Sequence, residues 1–230
     1  NQRDNKIASP PGEARNDTEE PPPDPLLDTG GGIPDAYNLA VPLQYHAPHA
    51  NWELPYQEAC EEASLIMAGR FFSGESLSAE EMDSEIKKLV AWEQDTFGYY
   101  EDTTAGEVVR MASDYFNLNA TLDYDTSVEN IKRQLTQNKL IIVPAAGREL
   151  PNPYFTGEGP LYHMLVIRGY TDTHFITNDP GTKRGKEFTY AYQDLIDAIH
   201  DWPREHGGFK DSVTDEEMRN GKPVLIVLDR

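Results

Sequence analysis

From Gln57 to Phe72, apolar residues fall at Ala59, Ala63, Ile66, Met67 and Phe71, the three- and four-residue spacing that lines one face of a helix. The period recurs from Ser78 to Thr96 through Ile86, Leu89, Val90 and Ala91. There the start is marked as well, because Glu81 follows Ser78 by three residues and the two side chains can satisfy each other's free N–H groups. Thr104 and Glu107 repeat that pattern at the head of a helix over 104–116, and Ser127 opens another to Gln137 less perfectly. Ala120–Tyr124 reads as a short strand between them, and Leu39–Gln44 as an extended lead-in.

The second half changes character. Lys139–Val143, Tyr162–Tyr170, His174–Asn178, Glu187–Tyr190 and Pro223–Leu228 are β-rich runs separated by Gly, Pro and Asp, with one helix, Gln193–His200, among them. Helices first and strands afterwards predict an α+β fold, N-terminal helices packed on one side of a C-terminal antiparallel sheet. No internal repeat is visible.

Residues 1–35 stand apart. They hold seven of the 17 prolines, three basic residues and eight acidic ones, with almost no aliphatic run. Such a segment cannot offset the entropy of ordering its backbone, so it reads as a disordered acidic linker ahead of one folded domain over 36–230.

The net charge of −20 excludes a nucleic-acid surface, which needs clustered Lys and Arg, and an anionic membrane surface for the same reason. No apolar run is long enough to span a bilayer. A linker of this kind tethers domains, so the chain reads as an exported or surface-tethered protein, its anchor absent from this chain, and as a monomer. The single cysteine excludes an intrachain disulfide framework and a zinc site of several thiolates.

Cys60 therefore draws attention, at the start of the first strong helix. Free N–H groups and partial positive charge at a helix N-terminus favour thiolate and offer a donor to an oxyanion. Glu61 and Glu62 oppose this, so a reactive Cys60 needs a cationic partner. Equally, Cys60 suits a buried place among Ala63, Ile66 and Met67.

His163, at the mouth of the Tyr162–Tyr170 strand, shares a face with Leu165 and Ile167; it is a general base or a capped core histidine. Asp179 lies in Asn178-Asp179-Pro180-Gly181, a sequence that would end a strand anywhere. The parity of the hairpin between them decides their relation. A two-residue turn sets His163 against Pro180 and favours Asn178 as the orienting residue. An odd-numbered turn or a bulge sets His163 against Gly181, with Asp179 diagonal on the same face. Together Cys60, His163 and a carboxylate or amide follow the chain order of a thiol–imidazole–acid site, in which Gln44 or Gln57 could supply an anion-hole amide.

The segments Val41-Pro42-Leu43-Gln44, Ala59-Cys60-Glu61-Glu62-Ala63-Ser64, Tyr162-His163-Met164-Leu165-Val166-Ile167-Arg168-Gly169-Tyr170 and Asn178-Asp179-Pro180-Gly181 together resemble the C39-like branch of papain-like cysteine peptidases, bacterial relatives of the double-glycine leader peptidases. The resemblance spans roughly 38–230. It implies a papain-like fold with Cys60 as nucleophile, His163 as base, Asp179 as orienting acid and Gln44 as the oxyanion glutamine. Much of that family has Cys-Gly-Pro where this chain has Cys60-Glu61-Glu62. Leader peptidases proper are joined to an ATP-driven exporter; this chain has no phosphate-binding glycine loop, so ATP is not expected and cleavage after a double glycine does not carry over.

The expected activity is hydrolysis of a peptide or amide bond through a thioester, without a cofactor, on a peptide or protein that is basic or neutral. Acyl transfer to an amine, or a catalytically silent cleft that binds peptide or cell-wall material, would use the same constellation. The long connection Ala146–Tyr162 could wall the cleft. His46 and His49 lie in Pro-containing coil without a third ligand and do not suggest a metal.

Overall fold

The computed structural model describes residues 32–208 and 213–230. The linker expected over 1–35 falls almost wholly outside them. Among them seven strands, β1 (Tyr37–Asn38), β2 (Asn119–Asp123), β3 (Leu140–Ala146), β4 (Tyr162–Tyr170), β5 (His174–Asn178), β6 (Phe188–Ala191) and β7 (Leu225–Asp229), form one antiparallel sheet. Its order is β2-β7-β3-β4-β5-β6, with β1 alongside the far end of β4. Among the described residues six helices accompany it: α1 (Cys60–Ser73), α2 (Ala79–Thr96), α3 (Ala105–Asp114), α4 (Val128–Thr136), α5 (Tyr192–Ala198) and α6 (Asp215–Arg219).

The predicted caps are present. Ser78 with Glu81 and Thr104 with Glu107 each close a reciprocal capping box. A third box, Thr214 with Glu217, heads α6, which has no counterpart among the elements expected from periodicity. The first helix begins at Cys60 rather than Gln57, because Tyr56–Glu58 makes a separate 3₁₀ turn ahead of it. It ends at Gly74, whose φ of 72° suits a residue without a side chain.

α1 is the central helix. Every residue from Cys60 to Ala68 is buried, and the helix packs on β4 and β3 on one side and on α2 on the other. Burial on all sides goes beyond what an apolar stripe implies: Glu61 and Glu62 enter the interior with it.

β3 runs three residues past the predicted end, through Pro144. A proline in a central strand normally forfeits a ladder bond. Here the carbonyl of Pro144 accepts from His200 N, so its nitrogen faces the same way, away from β4, where β7 pairs only with Leu140–Ile142.

The β4–β5 hairpin sets the parity on which the site depends. Tyr170 pairs with Phe175 and Gly169 with Ile176, an even-numbered turn. A bulge at Arg168 then shifts the register, so that Ile167 pairs with Thr177 and Val166 with Asn178. Continued along the strand, that register brings His163 opposite Gly181 and leaves Asp179 diagonal to it on one face.

Candidate active site

Three elements converge here. α1 presents Cys60 as its first residue, over β4; Ser64, one turn further on, donates to the Met164 carbonyl at 3.2 Å and fixes the helix against the strand. His163 precedes Met164, and the Met164 backbone N–H is turned toward the thiol. Asp179 follows β5. Its Oδ1 lies 2.8 Å from His163 Nε2, and both side chains are buried. A carboxylate accepts, so Nε2 carries the proton and Nδ1 is left free to take one.

Asp179 is held from several sides. Gly181 N–H donates to Oδ1 at 2.9 Å, while Asn152 Nδ2 and Tyr190 Oη donate to Oδ2 at 3.1 and 3.2 Å. Burial alone would push its pKa up; the charge of His163, its hydrogen bond and the Gly181 and Tyr190 donors outweigh burial and hold it below the usual carboxylate value. Asn178 points elsewhere, its amide donating to the Val41 carbonyl at 3.1 Å. The choice between Asn178 and Asp179 left open by the turn is thus resolved in geometry by the bulge.

Asn152 and Tyr190 were not singled out in the sequence. Asn152 belongs to the long connection between β3 and β4, and Phe155 of the same segment packs edge-on against the His163 ring at 5.4 Å. That connection roofs the imidazole and carboxylate. A buried Asn in Pro-Asn-Pro carries no sequence signal that separates it from turn chemistry.

The thiol is differently placed. Cys60 Sγ donates to Glu61 Oε2 at 3.0 Å, and among the described residues no hydrogen bond joins it to His163. Burial, then the charge of Glu61 and its hydrogen bond, then Glu62, raise the thiol pKa well above its ordinary value; the Met164 N–H opposes them. Glu61 is raised well above normal by burial and by Glu62 and Asp102. Glu62 is pushed up to about 8, chiefly by burial, and Glu93 to about 12 by burial and by Glu62. The carboxyl oxygens of Glu62 and Glu93 have no donor from any other described residue. They are satisfied only when one carboxyl keeps its proton and gives it to the other.

Gln44 donates its amide to the Leu77 carbonyl at 3.2 Å, and Gln57 is exposed on the 3₁₀ turn. Among the described residues no group of three His, Cys, Asp or Glu is arranged to hold a metal ion.

Comparison with known proteins agrees with this layout. No curated protein matches the chain significantly. Among solved structures, a candidate C39-like peptidase from Bacillus anthracis superposes with a TM-score of 0.51 at 17% identity, covering 86% of this chain and 99% of that one. Its fold is shared: a papain-like α+β arrangement of helices on an antiparallel sheet. The model of the peptidase C39-like family matches residues 38–207, a stretch that contains Cys60, His163 and Asp179. The chain belongs to the C39-like peptidase family, which at the level of the family means a cysteine peptidase.

Proposed function

We propose that the protein cleaves a peptide or amide bond by attack of the Cys60 sulfur, through a thioester that water then hydrolyses. The observation that carries this reading is the buried His163–Asp179 pair, 2.8 Å apart beside the N-terminus of the helix that begins with Cys60. His163 Nδ1 takes the thiol proton and returns it to the leaving amine. Asp179 holds the imidazole in the tautomer this requires and stabilises the imidazolium. The Cys60 N–H, at the first helical position and without an acceptor among the described residues, is a donor to the oxyanion.

The substrate is a peptide or protein, basic or neutral, that meets an acidic surface. The Glu61–thiol hydrogen bond favours one other reading, a silent cleft that binds without cutting. Incubation with an unstructured protein such as casein, followed by mass spectrometry of fragments, separates them. Fragments from the wild type that Cys60→Ala and His163→Ala do not produce support cleavage. Identical digests from wild type and Cys60→Ala overturn it.

A further inference from the structure

His46 is a second histidine at this end of the molecule, and the chemistry above leaves it unused. Its backbone N–H donates to the Pro180 carbonyl at 3.1 Å, which pins it to the loop directly after Asp179. The ring is buried, 5% exposed, and meets Trp52 edge-on at 5.2 Å. Neither ring nitrogen has a hydrogen-bond partner among the described residues. A buried imidazole always carries at least one N–H, and leaving it unpaired is unfavourable unless something else comes to it.

The surroundings indicate what comes. His163 and Asp179 are near enough to alter the proton affinity of this ring. Burial first, and His163 second, pull its pKa down to about 3 against the opposing charge of Asp179, so the ring is neutral and offers one N–H without a charge. A cavity of about 340 Å³ opens alongside, lined by Gln44, Ala47, Pro48, Trp52, Pro180 and Thr182, with room for a substrate side chain. The amide of Gln44, by contrast, is occupied by the Leu77 carbonyl.

We propose that His46 is the side-chain donor of the oxyanion hole, giving a hydrogen bond from its neutral imidazole to the substrate oxygen while the Cys60 N–H gives the other. This rests on the cysteine-peptidase reading. As the Sγ–carbon bond forms, the carbonyl π pair moves onto oxygen and the thiol proton passes to His163. His46 keeps its own proton throughout. On collapse the C=O bond reforms and the leaving group departs with the proton from His163.

Two reagents isolate this role. Acylation of Cys60 by p-nitrophenyl acetate passes through an oxyanion; alkylation by iodoacetamide displaces iodide at a saturated carbon and does not. His46→Ala is expected to slow acylation by about 10²–10³-fold, the loss typical of one oxyanion donor, and to leave alkylation unchanged. His46→Gln, which restores an N–H, is expected to recover much of the acylation rate. Unchanged acylation in His46→Ala, or acylation and alkylation falling together, overturns the assignment. Wild-type alkylation indifferent to His163→Ala removes the peptidase reading instead, and the oxyanion role with it.

Discussion

Gly181 stands so close to His163 that a Cβ on the glycine would lie 2.8 Å from the imidazole Cε1, and its N–H donates to the same Asp179 oxygen that holds Nε2. The imidazole is therefore gripped between a carboxylate and a bare backbone. Adding one methyl group must displace the ring, the loop or both. Gly181→Ala is expected to lower kcat by about 10²-fold, the scale of a 1 Å misplacement, with little change in circular dichroism. Full activity in a folded Gly181→Ala variant would show that the ring has freedom the packing denies it.

Among the described residues, Asn152 is the one whose side chain donates to both Asp179 (3.1 Å) and the Tyr190 hydroxyl (2.9 Å). Asn152→Ala leaves a buried carboxylate oxygen short of a donor, a loss of about 1–3 kcal/mol. Both Tm and kcat should fall. Tyr190→Phe removes one of the same donors and should act in the same direction.

Stability should fall as pH rises from about 5 to about 8. An unfolded glutamate titrates near ~4.3, whereas in the folded protein Glu62 holds its proton up to about 8. The native state thus binds more protons than the unfolded one across that window, and stability declines with pH. Glu62→Gln removes its share of this titration and should make the Tm profile less steep and raise Tm at pH 8, while Glu61 and Glu93, also raised, keep the same sign. Asp179 has the opposite sign: its depressed pKa adds stability above about pH 3.9 that is lost as pH falls through the folded value. Its effect is confined to acid below the Glu62 window.

Glu61 accepts a 3.0 Å hydrogen bond from the thiol, and wherever it ionises its charge is second only to burial in raising the thiol pKa. Glu61→Gln should lower that pKa and increase alkylation in proportion to the thiolate gained, most at alkaline pH where Glu61 has lost its proton, by up to about 10-fold. A decrease would mean that Glu61 assists the thiol rather than restraining it.

Much of this was legible in the chain order. The capping boxes at Ser78 and Thr104 and the β-rich second half carried the fold, because local propensity and tertiary packing agree there. Cys60, His163 and Asp179 stand out as candidates by type and order. Their relation does not, since it turns on a bulge at Arg168 that no turn residue announces. Burial of Glu61 and Glu62 was equally hidden, because first-turn acids on a helix are normally solvated. β1 was missed because two residues, Tyr37 and Asn38, carry no periodicity.

The chemistry proposed for this site stands or falls on whether His163 accepts the Cys60 proton. The rate of iodoacetamide alkylation of Cys60, followed from pH 5 to pH 10 in the wild type and in His163→Ala, reads that transfer. Burial and Glu61 hold the thiol pKa high, so proton transfer to His163 is expected to show as wild-type alkylation faster than that of His163→Ala over the lower part of this range. Superimposable profiles, both following a lone thiol with a pKa near ~8.5 or above, would contradict it.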